Sequence, residues 1–162
     1  MANKQIKHFY EINSEYEKHY YSESSLFWRR INFWDFVLDG EYIKTSHIAE
    51  FCCGDGYNLD FLKSRLGPQT AHEYDISKIA IRKMSEKFGL KGFVFDLTKP
   101  LDLQKKYETI FVVGGLHHCI TDLDCAVQNC RNALMDGGHL VVWEPYSGSI
   151  MNKLRNIWYK WD

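Results

Sequence analysis

At 162 residues the chain is long enough to bury one core and short enough to form a single domain. Charged residues make up 25% of it yet nearly cancel to a net charge of −1, which argues against nucleic acid or an anionic membrane as the main partner. Its five cysteines, Cys52, Cys53, Cys119, Cys125 and Cys130, are odd in number and fall inside predicted strands and helices, so no disulfide scaffold is expected and a reducing cytoplasm is.

The first thirty residues hold no signal-like apolar run, and no stretch approaches membrane-spanning length, so no stable membrane insertion is expected. From Lys4 to about Tyr21 the chain is charged and tyrosine-rich, with too few aliphatics for a core helix. Ser24 or Ser25 is placed to cap a stronger helix whose Leu26, Phe27, Ile31, Trp34 and Leu38 recur at helical spacing, with Gly40 as its end. Ile48 to Phe51 reads as a strand breaking into Gly54-Asp55-Gly56, a glycine turn that feeds a helix carrying Leu59, Leu62 and Leu66 up to Gly67-Pro68. Thr70 to Tyr74 is a second strand, delivering Asp75; Ser77 caps the helix of Ala80, Met84 and Phe88, closed by Gly89. Gly92 to Phe95 is a third strand, ending in Asp96. Thr109 to Val113, apolar throughout, is a fourth and runs into Gly114-Gly115. Thr121 with Asp124 suggests a capped helix through Leu134, stopped by Gly137-Gly138; His139 to Trp143 is a fifth strand, and a last helix runs from about Ser147.

Alternating strands and helices imply a Rossmann-like, doubly wound α/β sheet of five parallel strands, with every carboxyl end on one edge. That edge collects Glu50, Asp75, Asp96 and the Gly114-Gly115 turn. A dinucleotide fingerprint fails, because its third glycine would fall at Leu59, which disfavours a nicotinamide enzyme, and no phosphate-cradling Lys-Ser/Thr comes after the turn. Three carboxylates suit a ligand with hydroxyls, amines and positive charge. S-adenosylmethionine, with its sulfonium, ammonium, ribose diol and adenine amine, fits that description.

The motifs then align with a known family. IAEFCCGDG at 48 to 56, YDIS at 74 to 77, FDL at 95 to 97, YETIFVVGGLHH at 107 to 118 and RNALMDGGHLVVWEP at 131 to 145 resemble, in order, the motifs of class I S-adenosylmethionine-dependent methyltransferases. The resemblance points to the small-molecule branch that includes ubiquinone- and menaquinone-biosynthesis methylases, and departs from pattern at Cys52, where glycine is usual. It implies a single domain over 1–162, with a lid and helix over 1–44, a cofactor-binding core over 45–146 and a terminal helix over 147–162. The implied activity is methyl transfer from S-adenosylmethionine to a small-molecule acceptor, releasing S-adenosylhomocysteine. Glu50 and the backbone of Cys52, Cys53, Gly54 and Gly56 would hold the methionine portion. Asp75, beside Ile76, would take the ribose hydroxyls, Asp96 and Leu97 the adenine, and Gly114 would pass the sulfonium. Tyr10, Tyr16 and Tyr20 would belong to the lid, and His117 or His118 is the candidate general base.

A catalytically degenerate cofactor-binding or interaction module is the competing reading, motivated by Cys52. No metal set is expected, because the adjacent cysteines point to opposite faces of a strand. The family sheet ends in an antiparallel hairpin of two further strands, missing after the fifth strand here. We therefore expect either a fragment of a longer protein or a second chain, such as a homodimer partner, covering the strand at 139–143.

Overall fold

A computed structural model describes residues 20–40, 43–100 and 103–144. Tyr10, Tyr16, the terminal helix and the rest of 145–162 lie outside the described residues. The first described elements are α1 (Glu23–Arg29), a π-helical turn (Arg30–Trp34) and α2 (Asp35–Asp39). Five strands come next, β1 (His47–Phe51), β2 (Thr70–Asp75), β3 (Lys91–Val94), β4 (Tyr107–Val113) and β5 (Leu134–Trp143). Between them lie α3 (Tyr57–Leu66), α4 (Lys78–Phe88) and α5 (Leu123–Ala133).

The strands form one sheet in the order β3-β2-β1-β4-β5, every pair parallel. Central β1 and β4 bury apolar residues on both faces because helices cover both. Ile48, Phe111 and Val113 pack with Leu59, Leu62 and Met84 on the α3–α4 side. Ala49, Phe51, Ile110 and Val112 pack with Ala126, Cys130 and Ala133 of α5 on the other. Leu59 and Leu62 are fully buried, each contributing about 1.5 to 3 kcal/mol of transfer free energy.

Local chemistry sets the helix ends. Ser77 Oγ accepts from Ala80 N at 3.2 Å, as its position before α4 predicts, and Gly67 and Gly89 close α3 and α4. Elsewhere the caps are shifted. Ser22, not Ser24 or Ser25, caps α1 by accepting from Ser25 N, and Asp122, not Thr121, caps α5 by accepting from Cys125 N. The expected apolar face of the first helix is only partly buried: Trp34 is 2% exposed, but Phe27 and Ile31 stand out in solvent. The π turn explains this. Its extra residue rotates α1 relative to α2, so a single helical stripe cannot stay on one face across both. Arg29 is instead the buried residue of α1.

Strand β5 also begins earlier than expected, directly after α5. Tyr107 pairs with Leu134 while Thr109 already pairs with His139, so residues 135–138 loop out and the regular ladder is the expected 139–143 stretch. β5 is the end strand of the described sheet, and its Trp143 stacks on Phe33 and Trp28 of the leading helical segment.

Candidate functional site

Backbone and carboxylate hydrogen bonds tie the carboxyl end of β1 to that of β2, and that of β4 to that of β5. After β1 the chain turns sharply through Cys52, which at φ 57° is the one non-glycine residue with positive φ among the described residues. Asp75 then fixes this turn from the neighbouring strand: Gly54 N donates to its Oδ2 at 2.9 Å and Ser77 N to its Oδ1 at 2.7 Å. Burial raises the Asp75 pKa, while those two amide bonds pull it back down. The helix α3 starts at once from Gly56, whose φ of 76° suits glycine and whose missing Cβ leaves room for Met84.

A second turn, after β4, is held by a residue far along the chain. Gly114 N donates to Trp143 O at 2.6 Å. Glu144 accepts from Gly115 N at 2.8 Å and Leu116 N at 2.6 Å, and its Oε2 lies 2.7 Å from His117 Nδ1. Neighbouring side chains approach the two turns. A β-carbon placed on Gly54 would stand 2.8 Å from the Tyr21 hydroxyl, and one placed on Gly114 would stand 3.1 Å from the Tyr20 hydroxyl. Two adjacent tyrosines thus reach both glycines. Tyr21 is fixed by stacking on Tyr57 at 4.5 Å, and Tyr20 by the Arg29 guanidinium over its ring.

Behind the glycine turn lies a buried polar cluster on the α3–α4 face. Glu50 and Glu73 are direct neighbours in the β1–β2 ladder and both are 0% exposed. Asn58 Nδ2 donates to Glu50 Oε1 at 2.7 Å, and Arg29 Nη1 donates to Asn58 Oδ1 at 2.9 Å, so a buried cation reaches Glu50 through one amide. Glu50 Oε2 and both Glu73 oxygens have no hydrogen-bond partner among the described residues. Burial, tempered by Asn58 and Arg29, pushes Glu50 up to about 8. Glu73 is raised well above the usual carboxylate range by burial and then by Glu50; the Cys53 thiol beside it acts in the opposite sense.

The remaining sequence candidates are placed around this centre. Asp96 Oδ1 accepts from Thr98 N at 3.0 Å and Thr98 Oγ1 at 2.6 Å, an arrangement that closes its own turn. Leu97 is buried, its carbonyl held by Asn129 Nδ2, and Ile76 is exposed at the rim. His118 packs on the His117 ring at 3.9 Å, and burial, reinforced by His117, lowers its pKa. Sequence reading missed Glu144, Asn58, Arg29 and Glu73. Only Glu144 left a local signal, as the acid directly after the fifth strand.

The comparisons agree with this fold. The methyltransferase domain family matches residues 49–140. Among solved structures, a protein from Pyrococcus horikoshii superposes with a TM-score of 0.68 at 18% identity, covering 96% of this chain and 71% of its own. The N-methyltransferase NodS from Bradyrhizobium japonicum, solved with S-adenosyl-L-homocysteine, gives 0.68 at 16% identity over 86% of this chain and 70% of its own. An S-adenosylmethionine-dependent methyltransferase from Clostridium acetobutylicum gives 0.58 at 21% identity over 67% of this chain, but only 47% of its own. The chain spans about half the length of the first solved structures it matches, at 47%, 44% and 54%. No curated protein matches it. Among the described residues no helix is long and apolar enough to cross a membrane. From the family match over its central sheet, and the shared Rossmann-like fold, the chain belongs to the methyltransferase domain family.

Proposed function

We propose that the chain binds S-adenosylmethionine along the carboxyl edge of its sheet and directs its methyl group to a small-molecule acceptor. The observation that carries this reading is the pair of turns after β1 and β4, where Gly54 and Gly114 present backbone with no side chain beneath the Tyr21 and Tyr20 hydroxyls. A ligand there meets peptide groups at close range and, on the β1 side, the ionisable oxygens of Asp75. Those features fit a ligand bearing a diol and two cationic centres. Asp75 would accept from the diol, with the Cys52–Gly56 backbone against the amino-acid part and Asp96 and Leu97 at the ring.

The cofactor supplies a methyl group already activated by the sulfonium, so the protein's part is positioning and exclusion of water. Tyr20 and Tyr21 serve that part by covering both turns. In this reading His117 receives the acceptor proton. With Nδ1 facing the Glu144 carboxylate, its other ring nitrogen is the one left to act as base. Among proteins of similar fold, KedS8 is described as a sugar N-methyltransferase and NodS as an N-methyltransferase.

Calorimetry with S-adenosylmethionine, S-adenosylhomocysteine and NAD tests the first step: binding of the two sulfur ligands and not NAD is expected, and binding of neither overturns the proposal. The His117→Asn variant tests the second. It should keep cofactor affinity and lose turnover with acceptors that must shed a proton. The left-handed Cys52 favours one alternative, a fold retained for cofactor binding without turnover; cofactor affinity with no methyl transfer to any acceptor in a screen would establish that instead.

A further inference from the structure

The amino-terminal end of the sheet, opposite the methyl-transfer edge, contains a cavity of about 530 Å³. It opens among the first residues of β1, β2, β3 and β4 and the last turn of α3. Lys63, Lys91, Lys105 and Lys106 line it, together with His47 and His72, and among the described residues no aspartate or glutamate does. Such a concentration of one sign is unexpected in a chain whose charges nearly cancel overall. It is also uncompensated. None of these four lysines forms an ion pair among the described residues: Lys106 donates to the Asn132 carbonyl and Lys91 lies over the Phe93 ring, while Lys63 and Lys105 make no such side-chain contact. Glu108, two positions from Lys106, is already used by the Ser46 and His47 amides.

The floor of this cavity is built from buried polar groups rather than solvent-facing ones. His72 is 6% exposed and Tyr107 is 0% exposed. His72 Nδ1 lies 2.8 Å from the Tyr107 hydroxyl, which lies 2.6 Å from that of Tyr74. The size lies in the range of small-molecule pockets, roughly 300 to 1,000 Å³. Leu90, Ala71 and Met135 add apolar wall. Like charges gathered around such a floor repel one another, and the arrangement gains stability when an anion sits among them.

We propose that this cavity is a second binding site, for a small anion with at least two negative charges, of the phosphate-ester or pyrophosphate class. The lysine ammonium groups supply charge-assisted bonds to its oxygens, with His72 and Tyr107 as the polar floor. A burial-lowered imidazole with Lys105 and Lys91 for neighbours, at about 4, is neutral at pH 7 and reports the same positive surroundings. The site stands apart from the cofactor turns and does not depend on the methyltransferase reading.

Titration of the whole chain with inorganic pyrophosphate, then with a nucleoside triphosphate, tests the proposal, read by calorimetry and by the ring signals of His47 and His72. Saturable one-to-one binding with shifts at both histidines is expected. The Lys63→Gln/Lys105→Gln pair, both exposed and outside the cofactor turns, should weaken it roughly tenfold or more while leaving melting temperature and S-adenosylmethionine affinity unchanged. Non-saturating behaviour, equal binding by the double variant, or a single-stranded oligonucleotide that binds these lysines while the small probes do not, would each overturn it.

Discussion

His72 and Glu73 are consecutive in β2 and point to opposite faces of the sheet, where burial treats them differently. On the α5 face His72, Tyr107 and Tyr74 form an unbroken run of hydrogen bonds. On the α3–α4 face Glu73 and Glu50 lie side by side with three carboxyl oxygens unbonded among the described residues. One face satisfies its buried polarity and the other does not. The unsatisfied face is the one that backs directly onto the glycine turn, with Glu73 Oε1 only 3.4 Å from where a Gly56 β-carbon would stand. Polar groups kept in apolar surroundings without partners cost stability, and their position places that cost directly beneath the turn after β1.

The contrast is sharpest at Gly56. A methyl group there would meet Met84 Cγ at 2.2 Å and require a left-handed alanine. Overpacking and backbone strain together should destabilise Gly56→Ala by about 3 kcal/mol or more. Urea unfolding would check this, with a near-native midpoint showing that the α3–α4 face repacks freely.

Asp75 joins that face to the cofactor turn. Because it accepts from Gly54 and Ser77 and is proposed to meet the ribose diol, Asp75→Ala should lower both stability and S-adenosylmethionine affinity, each by roughly 1.5 to 3 kcal/mol. Loss of stability alone would make Asp75 a purely structural clamp.

Replacing Glu73 itself should act in the opposite direction. Glu73→Met fills the same volume without a carboxyl and should raise stability by roughly 1 to 3 kcal/mol. If the acid serves the turn, cofactor affinity falls at the same time.

The two faces should also differ in the sign of their pH dependence. A carboxyl whose folded pKa is raised binds more protons folded than unfolded. Stability from Glu50 is therefore fully present below its ordinary 4.5 and is lost as pH rises towards about 8. His72 is lowered, chiefly by burial, from 6.5 to about 4, so its share is present above 6.5 and is lost as pH falls through that interval. Thermal melts across pH should show both limbs, with Glu73→Met reducing the alkaline one and His72→Phe removing the acid one. A single limb that neither variant changes would remove the contrast.

Two smaller effects complete the set. Tyr107→Phe deletes the hydroxyl shared by His72 and Tyr74 and should cost about 1 kcal/mol in chemical denaturation. Cys52→Gly should change stability by less than about 1 kcal/mol. It relieves left-handed strain but gives up the thiol's packing and adds the unfolded-state freedom of glycine. A large stabilisation would mean that the strain at Cys52 is greater than its φ implies.

The sheet was legible because strand periodicity and turn glycines are local signals: β2, the ladder of β5 and the helix stop at Gly89 all fall where expected. So were the acids that end strands. Hidden from sequence were residues whose meaning depends on distant partners. Arg29 reads as an exposed helix charge until it meets Asn58, twenty-nine positions on. Glu73 reads as an ordinary strand acid until Glu50 is known to lie beside it in the ladder. The π turn left no compositional mark at all, and with it went the correct face of the first helix.

The bonds from Gly115 and Leu116 to Glu144 span 29 and 28 positions of chain. The turn after β4 therefore takes its final shape only once β5 has docked alongside and brought its last residues into reach. Closing that loop carries an entropy cost before any of the three Glu144 bonds can repay it. During synthesis, a chain that has emerged through β4 already holds the β1 turn and Asp75 but not a finished His117. The proposed cofactor edge should accordingly be completed in two stages of folding, the β1 turn with Asp75 first and the β4 turn with Gly114 and His117 second.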